Sequence, residues 1–306
     1  MFILTNVFSS YSQDYSFIKY DAKDGLVGSV VYDALQDNEG FMWFATDNGL
    51  SRFDGKNFKT FTTKDGLPDN EILKLFLDKE GHLWIMPFKP SLCYYYKGRI
   101  YNKTNDSLLA KILLSANAFD MAEDKSGNLF IAEMNGGHVI LKNGTIKTID
   151  RVKEMNTSLR GLGADKSGGI KLLLSKFFDE TGDRVSHYLY DPLKESTDTI
   201  RQMTFSGDAS TLLINPEYLI IPNNKSSQLS LYEEGNKVIS IKIPKNITSL
   251  SYLDKYRITV NTMTGIQIFN IQTKKNLKLS LRILVLHPLS WIKKIIFGLR
   301  LQAMAF

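Results

Sequence analysis

The sequence predicts an all-β protein, a β-propeller of four-stranded blades, with about six blades across residues 24–280 and an incomplete ring. Three observations predict it. A motif recurs at intervals of 41, 46 and 41 residues. Each repeat holds short runs of β-forming residues. Turn signals fall every 8–12 residues, with a hydrophobic period of two rather than 3.6.

The first two repeats carry the pattern most clearly. Asp24-Gly25-Leu26 returns as Asp65-Gly66-Leu67, and Asp37, Gly40 and Trp43 return as Asp78, Gly81 and Trp84. The D-x-x-G box appears again at Asp124–Gly127 and at Asp165–Gly168. Two more degenerate units follow around Ile214–Pro222 and Ile258–Phe269. Inside one repeat the order of elements is regular. Ser29–Gln36 is a first strand, and D-x-x-G turns the chain, with glycine accepting the positive φ that other residues resist. Phe41–Thr46 is apolar on both faces and reads as a buried strand. Asp47-Asn48-Gly49 turns into Leu50–Phe53, and Asp54-Gly55 turns into Phe58–Phe61. Four strands joined by hairpins in about 41 residues make one propeller blade. Trp43 and Trp84 are expected to wedge between neighbouring sheets, since one blade cannot cover both of its faces. Asp37, Gly40, Asp78 and Gly81 are read as turn residues. They lack the alternating acidic ladder and closing glutamate of a calcium loop.

Charge and composition exclude several function classes. The chain has 38 basic and 32 acidic residues, a formal charge of +6. Four of the basic residues, Arg282, Lys293, Lys294 and Arg300, lie in the last 28, which hold no acid. The remainder holds 34 basic and 32 acidic residues with no basic cluster, so nothing points to nucleic acid. Cys93 is the single cysteine and the four histidines are scattered, so no metal or cofactor is expected. No Ser–His–Asp order and no carboxylate pair suggests catalysis.

The string Asp37–Gly55, together with Asp65-Gly-Leu-Pro-Asp-Asn70, resembles the two-component regulator propeller repeat. The resemblance is specific over residues 24–102, recognisable to about 170, and vague beyond. It implies an exported sensor propeller that relays a signal to a histidine kinase across the inner membrane. The implied partner is a small-molecule or carbohydrate-like signal, the implied location is the periplasm, and the intact parent has room for a dimer. Nothing in this chain resembles a phospho-acceptor helix or an ATP lid, so no activity of its own is expected. The membrane would be met only through the kinase part. A lyase-like propeller enzyme and a protein-binding scaffold stay open as alternatives.

Candidate ligand contacts are the polar residues of the first strands, which line the channel in propellers. These are Asp33, Gln36, Lys74 and Asp120. Tyr95 joins them, because alternation in Tyr94-Tyr95-Tyr96 must turn one or two rings outward. Three segments complete the expected organisation. Residues 1–13 read as a residual signal peptide, apolar and then small. Residues 14–280 form the propeller. Residues 281–306 read as an aberrant tail. In a shifted frame, Trp291-Ile292 must encode Asp and Met304-Ala305 must encode Gly. Phe297-Gly298 can then encode Trp six codons after that Asp, the spacing from Asp37 to Trp43. The tail is therefore expected to be a further repeat read out of frame.

Overall fold

A computed structural model describes residues 20–281 except 134, 165–166, 178–184, 204–212, 215–218, 224–227, 234–235, 243–246, 253–256, 263–264 and 271–274. The expected signal peptide and the 282–306 portion of the expected tail lie outside the described residues.

The described strands form six four-stranded antiparallel sheets, each a simple meander in chain order. Blade 1 holds β1 (Val31–Gln36), β2 (Met42–Thr46), β3 (Gly49–Phe53) and β4 (Phe58–Phe61). Blade 2 holds β5 (Ile72–Leu77), β6 (Leu83–Pro87), β7 (Cys93–Tyr96) and β8 (Arg99–Tyr101). Blade 3 holds β9 (Ala118–Glu123), β10 (Leu129–Glu133), β11 (Gly136–Ile140) and β12 (Ile146–Thr148). Blade 4 follows a short helix, α1 (Arg151–Glu154), with β13 (Ser158–Ala164), β14 (Ile170–Phe177), β15 (Val185–Asp191) and β16 (Ser196–Met203). Blade 5 holds β17 (Leu213–Ile214), β18 (Leu219–Asn223), β19 (Gln228–Glu233) and β20 (Asn236–Lys242). Blade 6 holds β21 (Ile247–Tyr252), β22 (Arg257–Thr262), β23 (Gly265–Asn270) and β24 (Lys275–Leu281). The first strands β1, β5, β9, β13 and β17 touch one another in turn, as the innermost strands of a propeller do.

The D-x-x-G-x-x-W spacing has a physical cause that joins its parts. In blade 1, Asp37 Oδ1 accepts the backbone N–H groups of Glu39 at 3.0 Å and Phe41 at 2.9 Å, which shapes the turn. Its Oδ2 accepts the Trp43 indole N–H at 2.6 Å. Gly40 supplies φ 90°. Blade 2 repeats this with Asp78, whose Oδ2 accepts Trp84 Nε1 at 2.9 Å. Blade 3 has Phe130 where the tryptophan would stand and so loses the indole donor. Asn128 Nδ2 takes its place on Asp124 Oδ2, at 2.7 Å. One carboxylate thus ties the turn to the wedge, and a wedge without N–H is matched by a second donor.

The wedges sit between blades as the repeat predicts. Trp43 is fully buried among blade 2 residues that include Leu67, Ile72 and Leu83. Trp84 packs against Ala118, Met121 and Ile131 of blade 3, and Phe130 against Leu159, Leu172 and Leu174 of blade 4. Ahead of blades 1 and 2 the Asp-Gly-Leu motif makes a 3-10 turn. Asp21 and Thr62 cap these turns, and Gly25 and Gly66 end them at φ 104° and 106°. Leu26 and Leu67 are thereby driven into the core.

Candidate functional site

An extra residue sits at the same place in each of five innermost strands. In β1 the pairing steps from Val31 to Asp33 while β2 advances one residue. The same shift falls between Ile72 and Lys74, Ala118 and Asp120, Leu159 and Gly161, and Ile247 and Ser249. A β-bulge re-aims the side chain that follows it. Asp33, Lys74 and Asp120 therefore occupy equivalent positions, immediately after the bulges of three successive inner strands.

These three charges converge. Lys74 Nζ lies 3.3 Å from Asp120 Oδ1, their side chains 43% and 27% exposed, so the pair is wetted. Asp33 Oδ2 accepts the backbone N–H of Leu75 at 3.0 Å, which fixes it beside the next strand. Partial burial works against the Lys74 ammonium. The carboxylates of Asp120 and Asp33 outweigh that effect and hold its pKa above the ordinary lysine value. The result is a cation flanked by two anions on three successive innermost strands.

Gln36 and Tyr95 stand apart from this cluster. Gln36 is at the far end of β1, and its Nε2 donates to Gly40 O at 3.0 Å within its own hairpin. Tyr95 lies between blades 1 and 2. Its ring centroid is 4.7 Å from that of Trp43, and its hydroxyl accepts from Arg52 Nη1 at 3.1 Å.

One arrangement looks superficially catalytic. Glu133, Ser115 and His138 come together in blade 3, which the scattered sequence positions do not reveal. Glu133 Oε2 accepts Ser115 Oγ at 2.8 Å, and Glu133 Oε1 lies 3.1 Å from His138 Nε2. The carboxylate is in the middle. In a serine–histidine–carboxylate triad the histidine stands between hydroxyl and carboxylate, and this order differs from it. Burial pushes the Glu133 carboxyl up. Hydrogen bonds from His138, Ala116 and Ser115 outweigh it and hold the pKa below the ordinary range. The group is a buried cap. It anchors the chain entering β9.

Residues 25–48 and 66–86 match the family model described as "Two component regulator propeller". These segments are two-component regulator propeller repeats. They cover the first two strands of blades 1 and 2, with both Asp–Trp ties and the bulge positions of Asp33 and Lys74. No curated protein sequence matches the chain. Among solved structures, the chain is similar to the extracellular domain of BT4673 from B. thetaiotaomicron. One structure describes that protein as a one component system and another as a hybrid two component system. Identity is 19% and the TM-score 0.57, over 82% of this chain and 36% of that one. The chain therefore spans little more than a third of that relative's length. A nidogen/laminin complex chain gives a TM-score of 0.52 at 12% identity, over 78% of this chain and 92% of that one. A mitotic checkpoint complex chain gives 0.53 at 11%, over 87% and 86%. At these identities the likeness shows a shared propeller fold. No helix among the described residues is long and apolar enough to cross a membrane.

Proposed function

We propose that the chain is a non-catalytic, ligand-sensing propeller from the extracytoplasmic region of a two-component signalling protein, exported to the periplasm and anchored through its kinase part. The observation that carries this reading is the pair of regulator propeller repeats. The convergence of Asp33, Lys74 and Asp120 after equivalent bulges supports the channel as the place of contact. The signal that suits it is a small polar molecule with several hydroxyl or amide groups, such as a short carbohydrate, since donor and acceptors alternate around one point.

Two measurements test the reading. A thermal-shift screen of oligosaccharides and polar metabolites should find a ligand that stabilises the fold, because anything that binds only the native state raises its melting temperature. Lys74→Met keeps the aliphatic stem and removes the charge. It should weaken that ligand by about tenfold or more, the scale of a lost charged hydrogen bond. A ligand bound equally well by the Lys74→Met and Asp120→Asn variants would move the site out of the channel. Incubation with labelled ATP should leave the chain unphosphorylated, and incorporation of label would overturn the non-catalytic half of the proposal.

A further inference from the structure

The interfaces between blades offer a second site, separate from the channel and independent of the sensing proposal. Blade 1 presents Trp43 and Arg52 to blade 2, which answers with Tyr95. The Tyr95 ring fills the gap, 4.7 Å from Trp43 and 5.5 Å from Phe61. Strand register gives the equivalents one interface later. Trp43 opposite Arg52 becomes Trp84 opposite Tyr94, and Leu83 opposite Tyr95 becomes Leu129 opposite Ile140. Where blade 2 inserts a phenol, blade 3 inserts an isoleucine.

Trp84 and Ile140 are themselves buried, and the space left beside them is lined by the half-buried His82, Tyr94, Leu108 and Leu129. A cleft of about 200 Å³ lies between blades 2 and 3, with Ile140 and Leu129 on one side. The opposing wall is aromatic. Tyr94 lies 5.2 Å from Trp84 and 5.0 Å from His82, ring centre to ring centre. The rim differs in charge as well as shape. Glu123 stands opposite Leu129 where Leu77 stands opposite Leu83, so this interface gains a carboxylate. Glu80 and Lys142 complete the rim. His82 Nδ1 is held 2.8 Å from Asp78 Oδ2. With the ring proton on that nitrogen, the neutral tautomer has its acceptor at Nε2.

We propose that this cleft binds one planar aromatic ring carrying a cationic, hydrogen-bond-donating arm, the arylalkylamine class. The ring lies against the half-buried Tyr94 and His82, next to the buried Trp84, where offset and edge-on aromatic contacts are favourable. The arm meets the carboxylates of Glu80 and Glu123. Lys79 already engages Glu123 at 3.6 Å, so Glu80, which is exposed, has the freer carboxylate.

Tyramine, neutral 4-ethylphenol and anionic 3-(4-hydroxyphenyl)propanoate are suitable probes, titrated while the indole N–H resonance of Trp84 is followed by NMR. Tyramine should shift that resonance and leave the Trp43 resonance in place, and affinity should fall in the order amine, neutral phenol, acid. Ile140→Tyr rebuilds the plug seen at the preceding interface. It should weaken tyramine by about tenfold or more, the loss of one aromatic contact and its burial. Glu80→Lys, on the exposed rim, should erase the preference for tyramine over 4-ethylphenol. A Trp84 resonance unmoved by millimolar tyramine overturns the assignment, as does undiminished binding to a folded Ile140→Tyr variant. Should that variant not fold, Glu80→Lys decides alone, and an unchanged preference for the amine rejects the site.

Discussion

Trp43→Ala should lower the unfolding free energy by about 3–5 kcal/mol, the usual cost of emptying a large aromatic site in a packed core. Trp43 has no exposed surface and sits among residues from two blades. Its removal opens a cavity that neither sheet can close alone, because the backbones are held apart by Leu50, Phe61 and Ile85. Two further losses add to the cavity. Tyr95 loses its ring partner at 4.7 Å, and Asp37 Oδ2 loses the indole donor. Denaturant unfolding followed by far-UV circular dichroism measures the effect. A loss under about 1 kcal/mol is the range of surface substitutions and would show that the residue is no wedge.

The second large effect is expected at Asp78. This side chain is 6% exposed and accepts from four donors. They are the backbone N–H groups of Glu80 at 3.0 Å and His82 at 2.8 Å, His82 Nδ1 at 2.8 Å and Trp84 Nε1 at 2.9 Å. An ionised carboxylate is acceptor-only and suits this crowd. Asp78→Asn keeps the shape but turns an NH₂ toward the imidazole and indole donors, leaving buried groups unpaired. At about 1–3 kcal/mol for each unsatisfied buried group, a loss of roughly 2–4 kcal/mol is expected. Asp54 is the comparison. It also caps its turn, accepting from Lys56 and Asn57, but in full solvent exposure. Water can replace those bonds, so Asp54→Asn should cost far less. Equal losses at the two positions would show that burial of the Asp78 network contributes nothing.

Much of this architecture is legible in the residues themselves. The 41-residue spacing of Asp37 and Asp78 is a spacing between blades, and Trp43 and Trp84 are apolar enough to announce their burial. Blades 5 and 6 were readable only as β-forming runs, because their turns lack the D-x-x-G box and its glycine. The candidate site divides in a similar way. Asp33, Lys74 and Asp120 stand out as charges in otherwise apolar first strands, and the structure gathers them. Gln36 stood out equally, yet it lies past the bulge at the opposite parity from Asp33 and turns into its hairpin. Tyr95 was ambiguous by alternation alone. The face it takes follows from its pairing with Leu83, which is a property of two strands rather than one. Bulges escape sequence reading for the same reason, since an extra residue is extra only relative to a partner strand. The open cleft at Ile140 likewise required one interface to be laid over another.

The repeated bulge also separates two kinds of evolutionary freedom. The residue before the bulge and the second residue after it are committed to the interior, such as Val31, Ile72, Leu75 and Ala118, all buried. The residue immediately after the bulge is only half-buried in blades 1 to 4, where it reads Asp, Lys, Asp and Gly, and Ser249 stands at the same register position in blade 6. Each of these five blades thus contributes one interchangeable letter to a short word spelled along the innermost strands. Duplicating a blade adds a letter, and a point mutation rewrites one, while the spelling of the core is left alone.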